Sequence, residues 1–225
     1  MMISPESYYV EYLKGKTKEQ IMGAIRGLKQ EIGRLKNALE NPLNSQELFM
    51  YPSEETRLLW NREYLKRARQ AYAEAGGTYV LSKAEEKAAD FDLNINFICK
   101  ITFNIGSFFG GFRSYVVVRF VEVRAYTKFR EEEEPLVLLD EGGQPFTKET
   151  YIAALADLHI GEWRRRYTTK RFGYTVCDGT QWELIFEYNN GHKPVRFDGD
   201  NAYPYNFERL KMLFGIVDTE EEEDY

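Results

Sequence analysis

The sequence predicts an α+β fold, in which an N-terminal antiparallel helical hairpin precedes a mostly antiparallel β-sheet of about five or six strands with helices packed on it. Three observations lead there. Residues 21–39 repeat apolar side chains at helical spacing, and residues 95–105 and 182–188 alternate apolar with polar ones at strand spacing. Asn189-Asn190-Gly191 then separates the last run from Val195 and Phe197, and an Asn-Gly pair between alternating runs marks a tight reversal because both residues tolerate positive φ.

Composition limits the function classes. A chain of 225 residues that is 43% hydrophobic and 15% aromatic can bury a sizeable core without staples. Its two cysteines, Cys99 and Cys177, stand far apart in apolar runs, which favours a reduced chain. No basic segment followed by an apolar one opens the sequence, and no apolar run approaches the ~18 residues of a membrane span. The expectation is a cytoplasmic protein with no membrane contact. The net charge of −6 is uneven: residues 1–75 hold twelve Lys or Arg against ten Asp or Glu, and the remainder eighteen against twenty-six. That acidity argues against phosphate attraction by the whole chain but leaves room for a local basic patch.

An aromatic leader with Tyr8, Tyr9 and Tyr12 comes first. Thr17 and Gln20 have capping-box spacing, and Ile21, Ile25, Leu28, Ile32, Leu35 and Leu39 then form a heptad seam that ends at Asn41-Pro42. The seam suits an intramolecular hairpin, or an oligomer formed through residues 21–39. Ser53 caps a second helix to Ala75 whose Leu58, Leu65, Ala68, Tyr72 and Ala75 share a face, with Gly76-Gly77 as its stop. Ser82 and Glu85 box a short helix ending near Phe91. These segments define a helical region over 1–90, ahead of a sheet domain over 91–217 and an acidic tail over 218–225.

In the sheet domain, Ile95, Phe97, Cys99, Ile101, Phe103 and Ile105 alternate with polar residues. A long run over 115–129 is apolar on both faces at first, as expected of a covered central strand with an exposed extension. Glu131 to Glu134 read as a solvated loop, residues 136–139 as a short strand, and Thr147 as the cap of a helix carrying Ile152, Leu155, Leu158 and Trp163. Asn206 caps a last helix through Phe214, in which Phe207, Leu210, Met212 and Leu213 pack and Gly215 is the stop.

No catalytic motif stands out. The Gly-rich stretch 106–111 lacks the Gly-Lys-Ser/Thr and the following helix of a phosphate loop, so it reads as a hairpin or bulge. Its Phe108, Phe109 and Phe112 form either an apolar contact patch or, as favoured, ordinary core. Arg164, Arg165, Arg166, Tyr167, Lys170 and Arg171 could grip a nucleic acid or an acidic protein surface, or form a solvated helix end. His159 reads as structural and His192 as exposed, with no nucleophile or metal spacing beside either. Asp198, Asp200 and Asn201 lack the glycine and distal glutamate of a calcium loop, so no metal or cofactor is expected.

The segments YYVEYLKGKTKEQI, FFGG, LHIGEWRRRY, DGTQWELIFEY and GDNAYPYNF resemble a group of Firmicutes proteins, often of the gut and associated with mobile elements. The resemblance implies a cytosolic accessory protein and carries no activity or site residues with it. The C-terminal pattern is also loosely similar to immunity-type and inhibitor-type modules. The resulting expectation is a non-catalytic protein-binding module, a mobile-element accessory or anti-defence inhibitor acting by surface occupation. Two alternatives stay open: a nucleic-acid binder using residues 164–171, and an enzyme using Asp178, Asp198 or Asp200 near Tyr203.

Overall fold

The computed structural model describes residues 3–41, 51–107, 109–119, 122–176 and 178–216. The chain divides into two compact units between Leu81 and Ser82. Cys177 and the expected acidic tail lie outside the described residues.

The first unit is a helical hairpin. The helices are α1 (Pro5–Tyr8), which runs into a π-helical turn over Tyr9–Leu13, α2 (Lys18–Leu39) and α3 (Glu54–Glu74). Thr17 and Gln20 close a capping box at α2, and Ser53 caps α3 by accepting from the Thr56 amide. Antiparallel packing is fixed at one end by Arg57 on Glu31 at 2.8 Å and by Arg34 near Glu54 at 3.9 Å. Ile21, Ile25 and Leu28 of the seam share a buried cluster with Tyr64, Ala68 and Ala71 of α3. Those seam positions are therefore filled within the chain. The leader belongs to the same core: Leu13 is buried, the Tyr64 hydroxyl donates to the Ile3 carbonyl at 2.7 Å, and the Tyr8 ring stacks on Tyr64 at 4.4 Å. This turns the buried face of α3 toward Tyr64 and Ala71, leaving Leu65 and Tyr72 only half-buried.

The second unit opens with α4 (Lys83–Asn94), which packs with the sheet although the sequence reading grouped it with the helical region to residue 90. Seven strands follow: β1 (Ile98–Ser107), β2 (Gly111–Arg119), β3 (Val123–Phe129), β4 (Glu132–Leu136), β5 (Arg166–Thr168), β6 (Thr180–Tyr188) and β7 (Val195–Asp200). Their order is β4-β3-β2-β1-β6-β7-β5, antiparallel except for β5 beside β7. Two more helices, α5 (Lys148–Asp157) and α6 (Phe207–Leu213), complete the unit.

One face of the sheet carries the core. Ile101, Phe103, Val117, Leu184, Phe186 and Phe197 project from it into a cluster with Phe91 of α4, Tyr151 and Leu155 of α5, and Phe207 and Leu210 of α6. At about 1.5–3 kcal/mol per buried large side chain, this cluster is the main source of the unit's stability. Within it Trp182 lies 4.9 Å from Phe207, and Trp163 lies 5.7 Å from Phe197.

Several expectations are corrected. The sheet has seven strands rather than five or six, because the charge run expected as a loop is β4, an edge strand where Glu133 faces Lys128, and because the basic cluster contains β5. The run over 115–129 folds back on itself as β2 and β3, so Val116 and Val117 are both buried without one long strand. Ile95–Phe97 form a 3₁₀ turn, and an irregularity between Ile98 and Lys100 shifts the alternation, so that Ile98 is buried while Phe97 is 45% exposed. The helix after Thr147 stops at Asp157, where His159 takes a left-handed φ of 49°; Trp163 stays buried beyond its end. Met212, expected to pack, is 55% exposed.

Asn206 is corrected too. Its side chain makes no capping bond; it is buried, donating to the Leu158 carbonyl at 2.7 Å and accepting from the Trp163 indole at 3.1 Å. Asn206→Ala leaves a buried carbonyl and a buried indole N–H unpaired, and is expected to lower the unfolding free energy of the intact chain by about 2–4 kcal/mol in urea titration.

Candidate functional site

The second sheet face bears none of the helices of its unit. Alternation of side chains sets what it displays. Its middle row, one residue per strand from β4 to β5, is Glu133, Lys128, Ser114, Asn104, Glu183, Asp198 and Arg166. Four of the six neighbouring pairs in this row are bonded, and the carboxylates of Glu183 and Asp198 stand side by side. Lys128 meets Glu133 at 3.3 Å, the Ser114 hydroxyl donates to Asn104 at 2.6 Å, the Asn104 amide donates to Glu183 at 3.2 Å, and Arg166 lies 3.4 Å from Asp198. Glu183 also meets Arg196 at 3.2 Å. The adjoining row holds Tyr126, Val116, Thr102, Ile185 and Arg196, and is apolar at its centre.

A groove of about 530 Å³ lies over this face, lined by Asn104, Ser114, Gln181, Glu183, Asp198, Asp200 and Arg166, with Phe112 at its mouth. Phe112 belongs to the β1–β2 hairpin tip. There the Gly110 amide donates to the Ser107 hydroxyl oxygen at 2.9 Å, and Gly106 is required because a Cβ would strike the Gly111 carbonyl across the turn. The tip holds Phe109 83% exposed and Phe112 48% exposed. Of the two readings, core or contact patch, the favoured core placement holds for neither; with Phe112 opposite Gly106, the hairpin register directs its side chain to the face without helices of its unit. Phe108 lies outside the described residues.

The basic cluster is divided. Arg166 points to the groove, whereas Arg165 stacks on the Phe197 ring at 4.9 Å and donates to the Arg196 carbonyl at 3.3 Å. Burial holds the Arg165 guanidinium below its usual pKa, with Tyr188 and Asp90 acting in the opposite sense. Arg171 packs over Phe172 at 4.7 Å, and Arg164 and Lys170 are exposed. Tyr167 is withdrawn from the contact set: it alternates with Arg166 and Thr168, so its ring is fully buried, 5.8 Å from Trp182, and its hydroxyl accepts from the Arg164 amide.

The residues of the carboxylate reading are brought together only in part. Asp198 and Asp200 line the groove, Tyr203 packs on Phe207 of the covered face at 4.7 Å, and the exposed Asp178 contributes its carbonyl to Asn201. Asn201 is turned to the Thr180 amide at 2.8 Å. Among the described residues no group of three His, Cys, Asp or Glu side chains could hold a metal ion, and no helix is long and apolar enough to cross a membrane. His192, expected to be exposed, is tied to Asp90 at 3.0 Å and packs against the Tyr188 ring at 4.6 Å.

The sequence reading missed Asn104, Ser114, Gln181 and Glu183. Their only signal was polar alternation, which marks any uncovered strand face. No protein-family model, curated protein or solved structure matches the chain.

Gly199 lies between the two groove aspartates because the strand passes against Trp182, and a Cβ there would collide with the indole nitrogen and approach the Ala202 carbonyl oxygen at 2.6 Å. Gly199→Ala is expected to cost about 1–3 kcal/mol by overpacking in urea unfolding; unchanged stability would contradict this packing.

Proposed function

We propose that the chain is a non-catalytic binding protein of the cytoplasm that docks on another protein through its β1–β2 hairpin tip. The observation that carries this reading is the pair of outward aromatic rings, Phe109 and Phe112, on a tip braced by the Ser107–Gly110 bond. A monomer has no use for such rings in water, whereas burying each in a partner's pocket yields about 1.5–3 kcal/mol. Aromatic anchors of this kind dominate interface energies.

The groove beside the tip supports binding over chemistry. Asp198 faces Arg166, Glu183 faces Arg196, and an Asp200 carboxylate oxygen accepts from Asn201 at 2.8 Å. These pairs orient a partner; they do not form an acid and a base aimed at a common point. The resemblance to mobile-element proteins supports reading the chain as an accessory factor, one that blocks a component of host defence by covering its surface.

The full chain as bait is expected to recover a stoichiometric protein from native host lysate. Phe109→Ser combined with Phe112→Ser is expected to lower that recovery about tenfold or more, as loss of an aromatic anchor does. Both side chains are exposed, so the thermal transition of the variant stays within a few degrees of the parent. Undiminished recovery, or no partner at all, would remove the reading.

A further inference from the structure

The helix-free sheet face is complementary to itself. Reversed about Asn104, its middle row sets Glu133 opposite Arg166, Lys128 opposite Asp198, and Ser114 opposite Glu183. Glu133 and Lys128 then meet opposite charges, and Glu183 meets the Ser114 hydroxyl. The adjoining row behaves the same way about Thr102, where Tyr126 faces Arg196, a cation over a ring, and the Val116 opposite Ile185 is already buried within its own chain. Asn104 and Thr102 are both residues of β1, so one axis along that strand generates both sets of pairs.

We propose that two copies of this chain pack face to face about a two-fold axis running along β1. Such an interface is isologous: each pair occurs twice, once on either side of the axis. Stacked sheets lie ~10 Å apart with strands aligned to within about 30°, a separation that long side chains such as Lys128 and Arg166 can bridge. At ~4.8 Å between strands and ~3.4 Å per residue, the face measures about 30 by 25 Å, close to the ~800 Å² per partner of a stable interface. The least favourable contact is Lys100, which meets its own copy on the axis. Each Lys100 is already paired with Glu187 at 3.1 Å, so two neutralised pairs meet there.

The symmetry has a consequence for the hairpin tips. An axis parallel to β1 preserves strand direction, so both β1–β2 turns emerge at the same end of the dimer. The two Phe109 rings then stand side by side and grip a partner with repeated sites twice, whereas Phe112, which the register places on the paired face, anchors a partner only in the separated chain.

The test is a charge exchange read by sedimentation equilibrium of the full chain. The parent is expected at twice the chain mass of 26.4 kDa. Lys128→Glu sets a carboxylate against Asp198 of the second copy, and Asp198→Lys sets an amine against Lys128; each is expected to raise the dimer Kd by about tenfold or more. Combining the two substitutions is expected to restore dimerisation to within about threefold of the parent. Within one chain Lys128 and Asp198 are four strands apart, roughly 19 Å, and the combined variant still lacks both intrachain pairs, Lys128–Glu133 and Arg166–Asp198. Restoration can therefore come only from a second copy. A parent that stays monomeric at about 100 μM, where even a weak interface of ~10 μM would be mostly occupied, overturns the proposal, as does a double variant that fails to reassociate. Phe109→Ser is expected to keep the dimer while losing the tip's partner, so the two readings fail separately.

Discussion

The buried amide of Asn206 is the contact on which the second unit depends. It joins the end of α5, through the Leu158 carbonyl, to the indole of Trp163, and it sits at the first turn of α6. Trp163 in turn lies edge-on to Trp182 and Phe197 on the sheet. Asn206 and Trp163 together thus link the ends of two helices to two strands. Its polar atoms are inaccessible to water, so both bonds must form or the group costs about 1–3 kcal/mol per unpaired atom.

One-sided covering determines the rest. A strand whose residues alternate can bury only every second side chain against the helices, and in β1 and β6 those are Ile101 and Phe103, Leu184 and Phe186. Their neighbours must therefore satisfy themselves, and they do so in short bonded groups: Lys128 with Glu133, Ser114 with Asn104 and Glu183, and Arg166 with Asp198. At the edges the same logic protects the sheet. β4 ends in Glu132 to Glu134 and Pro135, a poor template for adding another strand. What remains for contact is the face itself and the hairpin tip that projects beyond it.

Much of this was legible where the signal is local. The caps at Thr17, Ser53 and Thr147, the alternation from Trp182 to Tyr188 and the reversal at Asn189 to Gly191 depend on residues within a few positions of each other. What depended on distant partners was not. β4 is a strand because Lys128 stands opposite Glu133, and β5 because Asp198 stands opposite Arg166. The basic cluster read as one patch in the linear sequence, yet strand alternation sends Arg166 to the groove and Tyr167 to the core. Phe109 and Phe112 have the composition of core, and only the hairpin register, with Phe112 opposite Gly106, places Phe112 on the uncovered face.

The helices of the second unit seal one sheet face and leave the other available for contact. Thiol labelling distinguishes the two faces, in a background with Cys99 and Cys177 replaced by Ser. At high dilution, where copies are apart, a cysteine at position 114 should react at a rate near that of a free thiol, and a cysteine at position 117 should react only on unfolding. Equal protection at both positions in the dilute chain would contradict the account.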